Sequence, residues 1–382
     1  MVMGRRPGVE RSSWPVAVTD LAGLLGQMSV GLARVPFRRP WSGQGNVAHN
    51  LAVATTREVM RTFMGYTTSL PIDEFRSVEL VLDDLCGVVL PPIVDLRGVD
   101  HEDDTVGGVL GEWFRPRTGR SGGTALYLHG GGYVGTSPRM YSVFMAWMAR
   151  RTGCDIFVPD LRLAPEFPFP ADLEDAAAAL HGLLASGVDA ASLVLAGDSS
   201  GGGLVTSLVD ADVRPEHLPV AAVVLFSPEV NLQLDCPSVR ENAHRDILPW
   251  NIPTTAYLDG VDPSSPLVSA TGQDLDGWPP TFVSIGGDEM FRDAIRRFSF
   301  HLDEADVDAE VHEEPGMFHV YPILMPWSDA GRRTVAAAGE FVRHRLPAAD
   351  AVSADDGVSG PADAGGSQAP GAEGGPVPAG AA

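Results

Sequence analysis

Residues 193–202 read Leu193-Val194-Leu195-Ala196-Gly197-Asp198-Ser199-Ser200-Gly201-Gly202. Four apolar residues without polar alternation predict a strand buried on both faces, the mark of a parallel sheet covered by helices. A helical stretch, Ser200–Val209, follows at once. Between strand and helix stands a serine with glycine two residues to either side. That spacing is steric: a nucleophile on a sharp strand-to-helix turn leaves no room for side chains at those flanking positions. The same spacing recurs at Gly119-Arg120-Ser121-Gly122-Gly123, but in a polar loop before a strand, with no helix after it. Context therefore selects Ser199.

Outward from this point the chain alternates. Strand-like runs at Thr124–His129, Asp155–Pro159, Leu193–Ala196, Ala222–Phe226 and Thr281–Ile285 are separated by helical stretches. Those stretches include Tyr141–Arg151, Asp172–Ala185 and Phe291–Ala305. A last strand near Ala309–Glu313 precedes a helix near Ala330–Leu346. The alternation predicts an α/β fold, with a mainly parallel central sheet and helices on both faces. Ligands in such sheets bind beyond the carboxyl ends of the strands, so the residues just after each strand carry the argument.

After the strand at 124–128 comes His129-Gly130-Gly131-Gly132-Tyr133. Three consecutive glycines cost backbone entropy. Paired with a nucleophilic serine they read as an oxyanion site, in which bare N–H groups face a developing negative oxygen. A serine hydroxyl also needs a base, and the base an orienting acid. His319, in the loop after the last strand, is the base expected among the ten histidines. Asp288, at the end of the strand 281–285, is the expected acid, with Glu289 and Asp293 as neighbours.

These stretches together resemble the bacterial hormone-sensitive-lipase-like esterases, a branch of the α/β-hydrolases. His129–Tyr133 is similar to that branch's HGGG signature, and Gly197–Gly202 to GDSAGG with Ser200 in place of Ala. Asp160–Glu166 is similar to D-Y-R-L-A-P-E with Leu161 for Tyr, and Asp288–Asp293 to D-P-L-x-D. The likeness covers about residues 110–346. It implies an α/β-hydrolase fold with a helical cap and carboxylic ester hydrolysis by Ser199, His319 and Asp288. Gly130, Gly131 and Ser200 are then the oxyanion donors. Short- to medium-chain esters or lactones are the expected substrates, and neither cofactor nor metal is implied. The plant gibberellin receptor, which resembles the same branch, lacks the catalytic histidine, so His319 separates an enzyme from a small-molecule receptor. Acyl transfer and amide hydrolysis use the same triad and stay open.

The chain divides by composition into an N-terminal cap (1–76), a catalytic domain (77–346) with a lid insertion near 231–260 that holds Trp250 and Tyr257, and a tail (347–382) without aromatic or basic residues. The tail cannot bury enough apolar surface to offset its chain entropy and is expected to be disordered. His101-Glu102-Asp103-Asp104 reads as a solvated turn rather than a ligand set. The net charge of −23 argues against nucleic acid as a partner, since phosphates are repelled. Three scattered cysteines, Cys86, Cys154 and Cys236, fit reduced thiols in a cytoplasmic protein. Val18, Leu21, Leu24, Leu25, Met28 and Leu32 recur at helical spacing, which predicts a helix over 14–35 packed on the protein, with peripheral membrane contact as the alternative. Asp20, Gln27 and three glycines interrupt it, so no stable membrane insertion is expected. A homodimer is allowed.

Overall fold

In a computed structural model, the described residues are 9–38, 46–214, 216–249, 252 and 254–347. The tail from 348 onward and Trp250 lie outside them. The predicted strands and helices coincide with observed elements to within two residues at each end. The strands are β3 (Thr124–Leu128), β4 (Asp155–Pro159), β5 (Leu193–Asp198), β6 (Ala222–Phe226), β7 (Thr281–Gly286) and β8 (Ala309–Glu314). All are mutually parallel. Two further strands, β1 (Val99–Val106) and β2 (Val109–Pro116), form an antiparallel hairpin whose β2 pairs with β4, giving the order β1-β2-β4-β3-β5-β6-β7-β8.

The hairpin corrects the reading of His101–Asp104 as a turn. These residues lie on β1, the edge strand, where one side of the ladder faces water and charged side chains are tolerated. The sheet's interior strands are buried on both faces. One face carries Leu126, Phe157, Leu195, Val223 and Val283, packed against helices at Ala171–Ala185, Ser199–Leu208 and Arg292–Glu304. The other carries Tyr127, Val158, Val194, Val224 and Phe282, packed against helices at Ser142–Thr152 and Asp329–Arg345.

Three helices precede the sheet: α1 (Trp14–Arg34), α2 (Val47–Thr67) and α3 (Ile72–Val89). The helical cover thus runs on past residue 76. In α1 the buried face is Ala17, Asp20, Leu24 and Gly31, whereas Val18, Leu25 and Leu32 point outward, at 46%, 65% and 46% exposure. The expected apolar stripe is therefore split. Gly23 and Gly31 let α1 approach α2 closely, since a Cβ there would meet Tyr66 or Thr62. By length and composition alone, the helix at Trp14–Phe37 is long and apolar enough to cross a bilayer. Its interruptions are few: Asp20 turns into the cap, and Arg34 stands near the end.

Candidate active site

The site is built where β3, β5, β6, β7 and β8 end. At the end of β5 the backbone turns so tightly that Ser199 takes φ of +50°, in the left-handed region costly for a residue with a side chain. The flanking glycines explain themselves. A Cβ on Gly197 would lie 2.6 Å from Gly201 O, and one on Gly201 would lie 2.1 Å from Leu128 O. The turn therefore holds together only with bare backbone at both positions. Ser121 has no such setting: its hydroxyl lies 3.6 Å from the Cys154 thiol, away from any histidine among the described residues.

His319 lies in the loop after β8, 1% exposed. Its Nε2 is 2.8 Å from Ser199 Oγ. Its Nδ1 is 2.9 Å from a carboxylate oxygen, and that oxygen is Oε2 of Glu289. The expectation that Asp288 meets the histidine is corrected. The carboxylate of Asp288 points away and accepts from Arg57 Nη2 of α2 at 3.2 Å, with Arg245 at 3.7 Å. The reason is the turn after β7. Gly286 N donates to Glu289 Oε1 at 2.8 Å and folds the glutamate back inward, while Asp288 is left at the rim. The signal was in the spacing. D-P-L-x-D spans five residues, and counting back from Asp293 reaches Glu289.

Asp293, the other neighbour, accepts from Ser238 N at 2.9 Å and Arg292 Nε at 2.9 Å, and takes no part in the site. Burial raises the Glu289 carboxyl above the usual carboxylate range, opposed by the hydrogen bonds from Gly286 N–H and Ser227. Burial also lowers the His319 imidazole, opposed by the negative charges of Asp246 and Asp198. An imidazole held neutral accepts a proton at Nε2 while its Nδ1–H donates to Glu289.

Asp246 escaped the sequence reading. It lies in the lid insertion, fully buried, and its Oδ1 accepts from His319 N at 2.9 Å while Oδ2 accepts from Met290 N at 2.6 Å. One carboxylate thus ties the histidine loop to the acid loop. Burial raises its proton affinity, opposed mainly by His319. No local motif marks such a residue, because its partners are 44 and 73 positions away.

The glycine loop needs a second correction. Gly130 N is taken: it donates to Asp198 Oδ1 at 3.1 Å. Asp198 is fully buried, also accepts from the hydroxyls of Tyr127 (2.8 Å) and Tyr141 (2.9 Å), and is pushed up to about 6 by burial against those hydrogen bonds. It anchors the loop to the strand end. Beyond this anchor the chain turns at Gly131 (φ +137°) and Gly132 (φ +63°), where a Cβ on Gly131 would lie 2.1 Å from Gly135 O. Gly131 and Gly132 line the cavity that holds Ser199 and His319, and their N–H groups donate to no acceptor among the described residues. Ser200 N–H stands at the start of the Ser199–Leu208 helix, where an N–H has no intrahelical partner.

The cavity measures about 290 Å³. Its walls are Met60, Phe63 and Met64 of α2, Phe75, Val78 and Leu82 of α3, and Ile247, Leu248 and Ile252 of the insertion. Both regions read from sequence as laid over the sheet contribute to its lining. Away from it, His101, Asp103 and Glu112 bring ligand atoms within 4.8 Å of one another. The Arg139 guanidinium already lies 3.5 Å from Glu112 and 3.9 Å from Asp103, and His101 stacks on Phe114, so the cluster's charge is met by an arginine.

Residues 125–323 match the model of the α/β-hydrolase fold family. An acetyl-hydrolase of Streptomyces hygroscopicus is 36% identical over 244 residues, which cover 63% of this chain and 81% of the relative. A crystal structure of an esterase from the bacterial hormone-sensitive lipase family superposes with a TM-score of 0.63 at 31% identity, covering 84% of this chain and 99% of that one. The structure of EstE5 from crystals soaked with p-nitrophenyl butyrate gives 0.68 at 30% identity, covering 77% and 98%. The chain therefore belongs to the α/β-hydrolase-fold family, among the esterases of the bacterial hormone-sensitive-lipase type.

Proposed function

We propose that the protein hydrolyses short- to medium-chain carboxylic esters through a Ser199–His319–Glu289 triad. The observation that carries this reading is one imidazole with Nε2 2.8 Å from Ser199 Oγ and Nδ1 2.9 Å from Glu289 Oε2. Ser199 Oγ attacks the ester carbonyl and its proton passes to His319 Nε2. Glu289 fixes the tautomer and stabilises the imidazolium. The negative oxygen of the tetrahedral intermediate is met by the N–H groups of Gly131, Gly132 and Ser200. His319 then protonates the leaving alcohol, water attacks the acyl-enzyme through the same base, and the acid is released. The apolar walls from α2, α3 and the insertion hold the carbon chain and exclude bulk water from the acyl-enzyme. Cytoplasmic residence is part of the proposal, supported by three unpaired cysteines.

The experiment is hydrolysis of p-nitrophenyl acetate and butyrate by the wild type and Ser199→Ala. Turnover by the wild type and loss by at least about three orders of magnitude in the variant is expected. Undiminished hydrolysis by Ser199→Ala would overturn the reading.

A further inference from the structure

Two residues beyond the end of β6 comes Pro228, and then Glu229, whose N–H donates to the Ser199 carbonyl at 2.8 Å. The backbone of Glu229 is therefore fixed against the nucleophile's own turn. Its side chain is 1% exposed and lines the same cavity as Ser199 and His319. Among the described residues its Oε1 has no hydrogen-bond partner, and it takes part in no ion pair. A buried acceptor or donor without a partner is costly, and native proteins seldom leave one without a use.

The surroundings do not supply a partner. Near Glu229 lie the stacked rings of Tyr133 and Tyr257, with centroids 3.7 Å apart. The Tyr257 hydroxyl is turned to Asp172, at 3.4 Å. The rest of the cavity lining is mostly aliphatic and aromatic, with Thr67, Thr68, Glu79, Thr136, Tyr141 and Asp198 as its other polar members besides Ser199 and His319. With no cation partner among the described residues, burial alone pushes the carboxyl up to about 8, and its protonated form has both an O–H donor and an acceptor to offer.

We propose that Glu229 is a specificity-determining residue that hydrogen-bonds a second oxygen atom of the substrate, a keto, ether or hydroxyl oxygen carried on the acyl or alkoxy chain a few atoms from the reacting carbonyl. The proposal rests on the Ser199 esterase reading. A purely hydrocarbon chain leaves Glu229 unsatisfied, whereas an oxygen-bearing chain of the same length pairs with it. Sites built to bond a polar group discriminate more strongly than apolar pockets do, because the wrong ligand leaves the site's own group unpaired.

The test compares matched esters. On the acyl side, p-nitrophenyl 4-oxopentanoate is set against p-nitrophenyl pentanoate; on the alkoxy side, 2-methoxyethyl acetate is set against butyl acetate. In the wild type, kcat/KM for the oxygen-bearing member of at least one pair is expected to exceed that for its partner by about tenfold, the scale of one buried hydrogen bond. In Glu229→Leu the preference should vanish or invert, and in Glu229→Gln, which keeps a donor and an acceptor, part of it should survive. Glu229→Met, unbranched like the native side chain, replaces the leucine variant should that one fail to fold. Active enzyme with the same ratios in wild type and in the apolar variant, for both pairs, overturns the Glu229 proposal alone; that is also the outcome if a resident water satisfies the carboxyl. A wild type inert toward all four esters overturns the Ser199 reading and this proposal with it.

Discussion

Glu289 Oε2 lies 2.9 Å from His319 Nδ1, while the adjacent carboxylate, Asp288, faces Arg57 on the cap at 3.2 Å. Two neighbouring acids thus face opposite ways. Glu289→Gln puts an amide donor or a neutral acceptor against Nδ1 and removes the charge that stabilises the imidazolium. It should lower kcat by about 10³–10⁴, the scale of neutralising the acid in a serine triad. Asp288→Asn should leave kcat within a few-fold of wild type. Steady-state kinetics on p-nitrophenyl butyrate decide it: a crippled Asp288→Asn beside an active Glu289→Gln would reverse the assignment.

The Arg57–Asp288 pair joins α2 to the loop after β7, and Arg57 also donates to Gly316 O at 2.9 Å. Both side chains are partly exposed, 25% and 19%, so the pair contributes no more than about 1 kcal/mol to stability after solvent screening. Arg57→Met should therefore move Tm little while raising amide hydrogen exchange in residues 47–67. Unchanged exchange there would mean that apolar packing alone seats the helix.

Only one of the two Gly-x-Ser-x-Gly segments has its serine against a histidine. A fluorophosphonate should label Ser199 and not Ser121, as read by peptide mapping. Ser121→Ala should keep near wild-type turnover, since its hydroxyl meets only the Cys154 thiol and Gly123 N. An adduct confined to Ser121 would refute the assignment.

A cavity of about 290 Å³ with apolar walls sets a limit on chain length. Each buried CH₂ adds about 0.8 kcal/mol, roughly fourfold in kcat/KM, until the space is filled. The maximum is expected between about two and eight acyl carbons. Faster turnover of emulsified long-chain triglyceride than of soluble esters would contradict this, and would direct attention to the outward Trp14, Val18 and Leu25 of α1.

Glu229, pushed from 4.5 up to about 8, makes stability depend on pH with a definite sign. Between these values the folded chain binds the proton and the unfolded chain does not, so unfolding releases it. The contribution is fully present below about 4.5 and is lost as pH rises through about 8. Glu229→Gln cannot ionise, so its stability curve, measured by urea unfolding from pH 5 to 9, should fall less steeply than the wild type's. Parallel curves would show that Glu229 titrates as an ordinary carboxylate.

The sequence by itself determined the sheet's parallel strands, the helices between them, the strand-to-helix turn at Ser199 and the place of His319 after the last strand. Those depend on short-range rules: apolar runs without alternation, glycine where a Cβ would strike Leu128 O or Gly201 O, and a histidine just past the last strand. Strand β1 was hidden because its edge position lets charged residues occupy a strand. Glu289 was legible in the five-residue spacing back from Asp293, and a local hydrogen bond from Gly286 N turns its carboxylate inward to His319. The tertiary structure alone decided that Gly130 N is spent on Asp198, 68 residues away, and that Asp246 ties the loop of His319 to that of Glu289. Such contacts form between segments that meet only after the sheet has assembled, so no local pattern of residue types encodes them.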